Sequence, residues 1–231
     1  MSVFATDSIL PPDPPGLEAL HDREYRVRAY RVAEDRLLIR GAVRDQKPPG
    51  MYVDEDPDPL TIHHMQVELE VAFPSLEIVR AEATLEIHPN TTCPRIEDHY
   101  HQLVGLSIGR GFTNRVRELF GGPRGCTHTT ALIQAMAPVA VQCFWSMRAA
   151  RARSIDDVDV PFQPPDEEHR DMAWQLNVSS CHVWAEDGEQ VARLRAGGEM
   201  EVPVWMQVRL RSLGRDPSGW APGYPRPADQ R

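Results

Sequence analysis

The 231-residue sequence has only four cysteines, at 93, 126, 143 and 181, and no CxxC pair. That excludes a zinc ribbon and a dithiol redox motif, and leaves four free thiols as the expectation in a reducing compartment. A basic block is also missing: 25 Lys and Arg stand against 34 Asp and Glu, a formal charge of −9 at pH 7. General affinity for nucleic acid is therefore not expected. The Arg-dense stretch MRAARAR, 147–153, reads as the solvated last turns of a helix rather than as a binding patch. Neither GxGxxG nor GxxxxGK[ST] occurs, so GLSIGRGF at 105–112 is not read as a phosphate loop. The N-terminal MSVFATDSILPPDPPG lacks the basic start and apolar centre of a signal peptide, and no apolar run reads as long enough to span a bilayer. The expectation is a cytoplasmic protein with no membrane and no nucleic-acid partner.

What is present suits a compact fold: 41% hydrophobic and 26% charged residues. Residues 1–20 form a proline-rich leader. YRVRAYRV (25–32) and RLLIRGAV (36–43) flank AED and predict a hairpin. RDQKPPGMYVDEDPDPL (44–60), with four prolines and five acidic residues, predicts a long surface connection, placed as a lid. The clearest periodicity begins at IHHMQVELEVAF (62–73), where Met65, Val67, Leu69 and Val71 share one face and Gln66, Glu68 and Glu70 the other. EIVRAEATLEIHP (77–89) repeats it, with Val79, Ala81, Ala83, Leu85 and Ile87 facing in, so the two predict antiparallel neighbours.

The period then changes. Leu103, Leu106, Ile108, Phe112, Val116, Leu119 and Phe120 predict short helices ending at Gly121 and Gly122. Residues 127–153 predict a long core helix, capped by Thr127 and kinked or divided at Pro138. After an acidic connection at 154–171, 174–189 and 202–210 read as further strands. The order predicts an α+β fold, a mainly antiparallel sheet packed against helices, as a single domain over 21–212 with a loose tail at 213–231.

Two places carry chemistry. His63 falls in phase with the buried face of its strand, so it is either a hydrogen-bonded structural histidine or a catalytic or ligating one; His64 falls with the glutamates. In GGPRGCTHTTALIQAM (121–136), Cys126 and His128 sit at a helix start, where free backbone N–H groups favour an anion such as a thiolate. They form a candidate nucleophile and base, provided Cys126 lies outside the regular turn. Imidazole and thiolate also suit a divalent transition metal such as zinc, with His63, His64, Cys126 and His128 as ligands. Met65, Gln142 and Trp184 are the candidate substrate-pocket residues, within a chain carrying tryptophans at 145, 174, 184, 205 and 220. Asp156, Asp157 and Asp159 read as a solvated acidic face.

IHHMQVELEV (62–71), ATLEIHPNTTCP (83–94), QLVGLSIGRGF (102–112), LFGGPRGCTHTTALIQAMAPVAVQ (119–142) and SSCHVW (179–184) together resemble DUF2889, a bacterial family of uncharacterised proteins. The resemblance covers roughly residues 20–190. It implies that His63, His64, Cys93, Gly125, Cys126, His128 and Gln142 belong together, and it supplies no activity. Where that family often has leucine after GCTH, this chain has Thr129.

The reading that follows is a small-molecule enzyme, a hydrolase or lyase of an aromatic or apolar metabolite, with His63, Cys126 and His128 as its catalytic set. A non-catalytic ligand-binding or accessory protein is the alternative, and a homo-oligomeric scaffold a third.

Overall fold

The structure is a computed structural model, described here for residues 9–155, 174–175 and 177–219, with backbone alone for 148–155 and 219. The connection at 156–171, its three aspartates and Trp220 lie outside the described residues. The chain clusters into two compact units, Met1–Met147 and Arg148–Arg231.

In the first unit, strands β1 (Asp22–Ala33), β2 (Arg36–Lys47), β3 (Leu60–Ala72) and β4 (Ile78–Ile87) form an antiparallel sheet in sequence order. A 3₁₀ helix (Cys93–Leu103), α1 (Phe112–Phe120) and α2 (Thr127–Ile155) follow. The α+β class and the antiparallel sheet agree with the sequence reading. Both hairpins form as expected; the first runs longer than its apolar alternation suggests, whereas β4 ends at Ile87, two residues short of the expected segment.

Alternation gives the sheet two unlike faces. In β2, Leu37, Ile39, Gly41, Val43 and Asp45 are buried while Arg40 is exposed; in β3, Met65, Val67, Leu69 and Val71 are buried. Register turns these into rows across the inner face: Ala29, Ile39, Leu69 and Ala81; Val27, Gly41, Val67 and Ala83; Tyr25, Val43, Met65 and Leu85. The row beyond them is Arg23, Asp45 and His63. β4 departs from strict alternation, because a register shift at Glu70/Val71 turns Ile78 inward, while Ile87 is 41% exposed.

Helix α2 supplies the second layer. His128, Leu132, Met136 and Ala140 recur every four residues and share one stripe. Gly41 admits this helix: a Cβ there would lie 2.7 Å from Met136 Sδ and 3.1 Å from Leu132 Cδ1. With Met136 over Gly41, His128 two turns earlier reaches the Asp45 level; both offsets are about 12–14 Å. Pro138 sits inside α2, which runs on to Ile155. Over Thr127–Met147 α2 has mean hydropathy 1.2 and bilayer-spanning length, where the sequence reading found no such run; one third of that window is buried in the fold.

The second unit is small. Trp174, Val191 and Leu194 form its cluster, with Val178 and Trp184 packed against it. Two predicted strands are corrected here. Trp174 and Gln175 are helical, and residues 177–188 are turns and a 3₁₀ helix, His182–Trp184, in a loop closed by Ser179 N–H donating to Trp184 O at 2.7 Å. Residues 202–210 enter helix α4, Val204–Ser212, after α3, Glu189–Arg195. Valine alternation favours a strand only where a partner strand exists. None pairs with these segments among the described residues, and Pro203 instead precedes a helix whose Val204, Trp205 and Val208 are exposed.

Candidate functional site

Asp45 is the centre of the site. It is 1% exposed and ends the buried alternation of β2. Arg23, opposite it on β1, donates Nε to Oδ1 at 2.6 Å and an Nη to Oδ2 at 2.7 Å. His21 Nε2 lies 3.3 Å from Oδ1. His63 Nδ1, from β3, and His128 Nε2, from α2, each lie 3.1 Å from Oδ2. Burial alone would raise the Asp45 pKa, but the Arg23 hydrogen bonds and the surrounding positive charge outweigh it and hold the group at about 2. Asp45 is therefore an anion and accepts only, so the histidine nitrogens that face it carry the protons.

The imidazoles of His63 and His128 stack, with centroids 4.0 Å apart. Burial, and then the neighbouring His63, push the His128 pKa below its ordinary value. That favours the neutral imidazole, whose Nδ1 can accept. Cys126 Sγ lies 3.8 Å from that nitrogen.

The segment that presents Cys126 is fixed from both sides. Gly125 packs so closely on the end of α1 that a Cβ would lie 2.5 Å from Phe120 O. The hydroxyl of the fully buried Tyr100 accepts the Cys126 N–H at 2.8 Å. The Cys126 carbonyl accepts the Thr130 N–H at 2.9 Å. Cys126, not Thr127, is thus the residue before the first turn, and this lets side chains two apart face each other. Thr129 is fully buried.

The expected site residues therefore part company. His63, Cys126 and His128 come together. His64 lies opposite Arg44, one residue out of phase with His63. A three-ligand cluster with metal-like spacing is made by Asp45, His63 and His128. Met65 adjoins it along β3 but is core at 1% exposure. Gln142 is exposed and lies 14 residues beyond His128, about 21 Å along the helix. Trp184 belongs to the second unit's cluster, and Trp174 there lines a depression of about 550 Å³ with Gln175, Val178, Leu194 and Arg195. Trp205 is 66% exposed. All four cysteines are free.

Sequence reasoning missed Asp45, Arg23 and His21, having assigned Asp45 to the acidic connection. It also found no GxSxG elbow, although GLSIG at 105–109 has that spacing. Ser107 there is exposed, donates to Ser75 O at 2.8 Å and pairs with Glu77, so it is no strand-to-helix elbow.

Residues 21–142, more than half of the chain, match the family described as "Protein of unknown function (DUF2889)". The chain belongs to this family. The family match contains Arg23, Asp45, His63, Cys126 and His128 and ends at Gln142, leaving SSCHVW outside it. No curated protein and no solved structure matches the chain.

Proposed function

We propose that this member of DUF2889 is a cysteine-dependent hydrolase of small apolar or aromatic acyl compounds. The observation that carries the reading is the continuous path from Cys126 Sγ through His128 Nδ1 and Nε2 to Asp45 Oδ2, with separations of 3.8 and 3.1 Å. Nucleophile, base and a buried carboxylate that orients the base are the three parts a thiol hydrolase requires. Unliganded sites commonly hold the nucleophile–base contact longer than a mature hydrogen bond.

In the first step the Cys126 thiol gives its proton to His128 Nδ1 while sulfur bonds to the substrate carbonyl carbon. The carbonyl electron pair moves to oxygen, where the unpaired N–H groups of the first turn of α2 stabilise it. The leaving group departs with the proton from His128. Water then attacks the thioester, giving its proton back through His128 and releasing the acid and the free thiol. Four free thiols suit a reducing cytoplasm, where such chemistry survives.

The test combines turnover with labelling. A panel of short-chain and aromatic esters and thioesters is expected to be hydrolysed by the wild type and not by Cys126→Ala, with His128→Ala slowed about 10²–10⁴-fold. Iodoacetamide, read by mass spectrometry, is expected to label half-buried Cys126 faster than exposed Cys181 in the wild type, with that order reversed in His128→Ala. Turnover unchanged in Cys126→Ala, or Cys126 slower than Cys181 in the wild type, sinks the proposal.

A further inference from the structure

We infer that His63 Nδ1, His128 Nε2 and Asp45 Oδ2 also form a reversible site for a divalent transition-metal ion, zinc being the best fit, and that loading it silences Cys126. One ligand atom from each of the three residues lies within 4.8 Å of the others, and both nitrogens are 3.1 Å from Asp45 Oδ2. Ligands bonded to one zinc at about 2.1 Å stand about 3.0–3.4 Å apart, so the carboxylate–imidazole edges already have bound-state length. Two strands and a helix set these atoms, and each sits on a residue that is buried or half-buried. His63 Nδ1 and His128 Nε2 meet at the same Asp45 oxygen; the two rings stack with centroids 4.0 Å apart, so taking one ion requires them to splay slightly. Two imidazoles and one carboxylate form a donor set that zinc and its neighbours accept, leaving further positions open.

Arg23 sets the character of the site. Its guanidinium already binds both Asp45 oxygens, and a carboxylate so paired is a weaker donor than a free one. That favours an ion that comes and goes over one held permanently.

The consequence for the thiol rests on the function proposed above and follows from which nitrogen carries the proton. Without metal, His128 bears its proton on Nε2 toward Asp45 and offers Nδ1 to Cys126. With metal on Nε2, the proton sits on Nδ1, which can no longer accept from the thiol. His63 exchanges its ring proton likewise, so loading needs no net proton release. One imidazole thus serves as base or as ligand, and not as both.

The experiment uses the full chain stripped with chelator and dialysed against zinc, with metal counted by elemental analysis and folding checked by circular dichroism. One zinc per chain is expected in the wild type and in His64→Gln, and none in folded His63→Gln or His128→Gln. Zinc is expected to slow Cys126 alkylation at least tenfold in the wild type, with Cys181 unaffected, and to leave His63→Gln unprotected. Zinc retained by folded His63→Gln would place the ion elsewhere and overturn the assignment, as would no zinc in the wild type. Stoichiometric zinc without protection of Cys126 would overturn the silencing. Slow Cys126 labelling in metal-free protein would instead count against the hydrolase, and the zinc count would still decide the metal site.

Discussion

The inner face of the sheet holds two kinds of row. Its middle rows, such as Ala29, Ile39, Leu69 and Ala81, are wholly apolar, whereas the row at one end is Arg23, Asp45 and His63. Both are built by the same alternation and roofed by the same stripe of α2. They differ in what holds them. The apolar rows gain from area removed from water and need only shape and volume. Asp45 in the polar row is buried at a cost, and is tolerable because Arg23 binds both of its oxygens and His21, His63 and His128 lie against them. A row that costs stability, placed where a helix start delivers a thiol and an imidazole, suits the hydrolase proposed above.

Breaking the apolar rows should cost most. Leu69→Ala, at a fully buried position, is expected to lose about 2–5 kcal/mol in chemical denaturation without changing the relative labelling of Cys126 and Cys181. Asp45→Asn should cost about 3 kcal/mol, near the low end for breaking a buried pair, because Arg23 keeps access to water. It should also erase the preference for labelling Cys126, and that second effect separates the rows. Gly41→Ala drives a methyl into Met136 and should cost about 1–3 kcal/mol, a Met136→Ala partner restoring part of it.

The outer face sharpens the contrast from the other side. Arg80 bridges Glu68, Glu70 and Glu82 across β3 and β4 at partly exposed positions. Arg80→Ala should cost at most about 1 kcal/mol and less in high salt. Burial opposes ionisation of Glu68, but Arg40 and Arg80 outweigh it and lower its pKa from 4.5. A group depressed in the folded state stabilises above its unfolded pKa. That contribution is therefore complete above about pH 5, and is lost as the pH falls through the lowered folded value. Acid titrations of wild type and Arg80→Ala should converge in that range.

The sequence carried much of this. Met65, Val67, Leu69 and Val71 announce β3 by period alone, and His63, in phase with them, lies half-buried against Asp45. Leu37, Ile39, Gly41, Val43 and Asp45 form an equally regular series, so Asp45 was legible; its proximity to prolines and acids drew it into the loop instead. His128 could also be read, from its four-residue spacing to Leu132 and Met136. Arg23 could not, since pairing across β1 and β2 is fixed by register rather than by composition. The C-terminal strands failed because local valine content says nothing about whether a partner strand exists.

The cross-strand register has a consequence for how this chain can change in length. Within β2 or β3, removing one residue would turn Asp45 or His63 to solvent and bring Arg44 or His64 inward, while removing two would preserve the facing and shift the row by one level. Insertions and deletions there are restricted to even steps. The connection at 48–59, which links the two strands without entering the ladder, has no such parity, so length variants of this protein should accumulate there and spare the strands on either side.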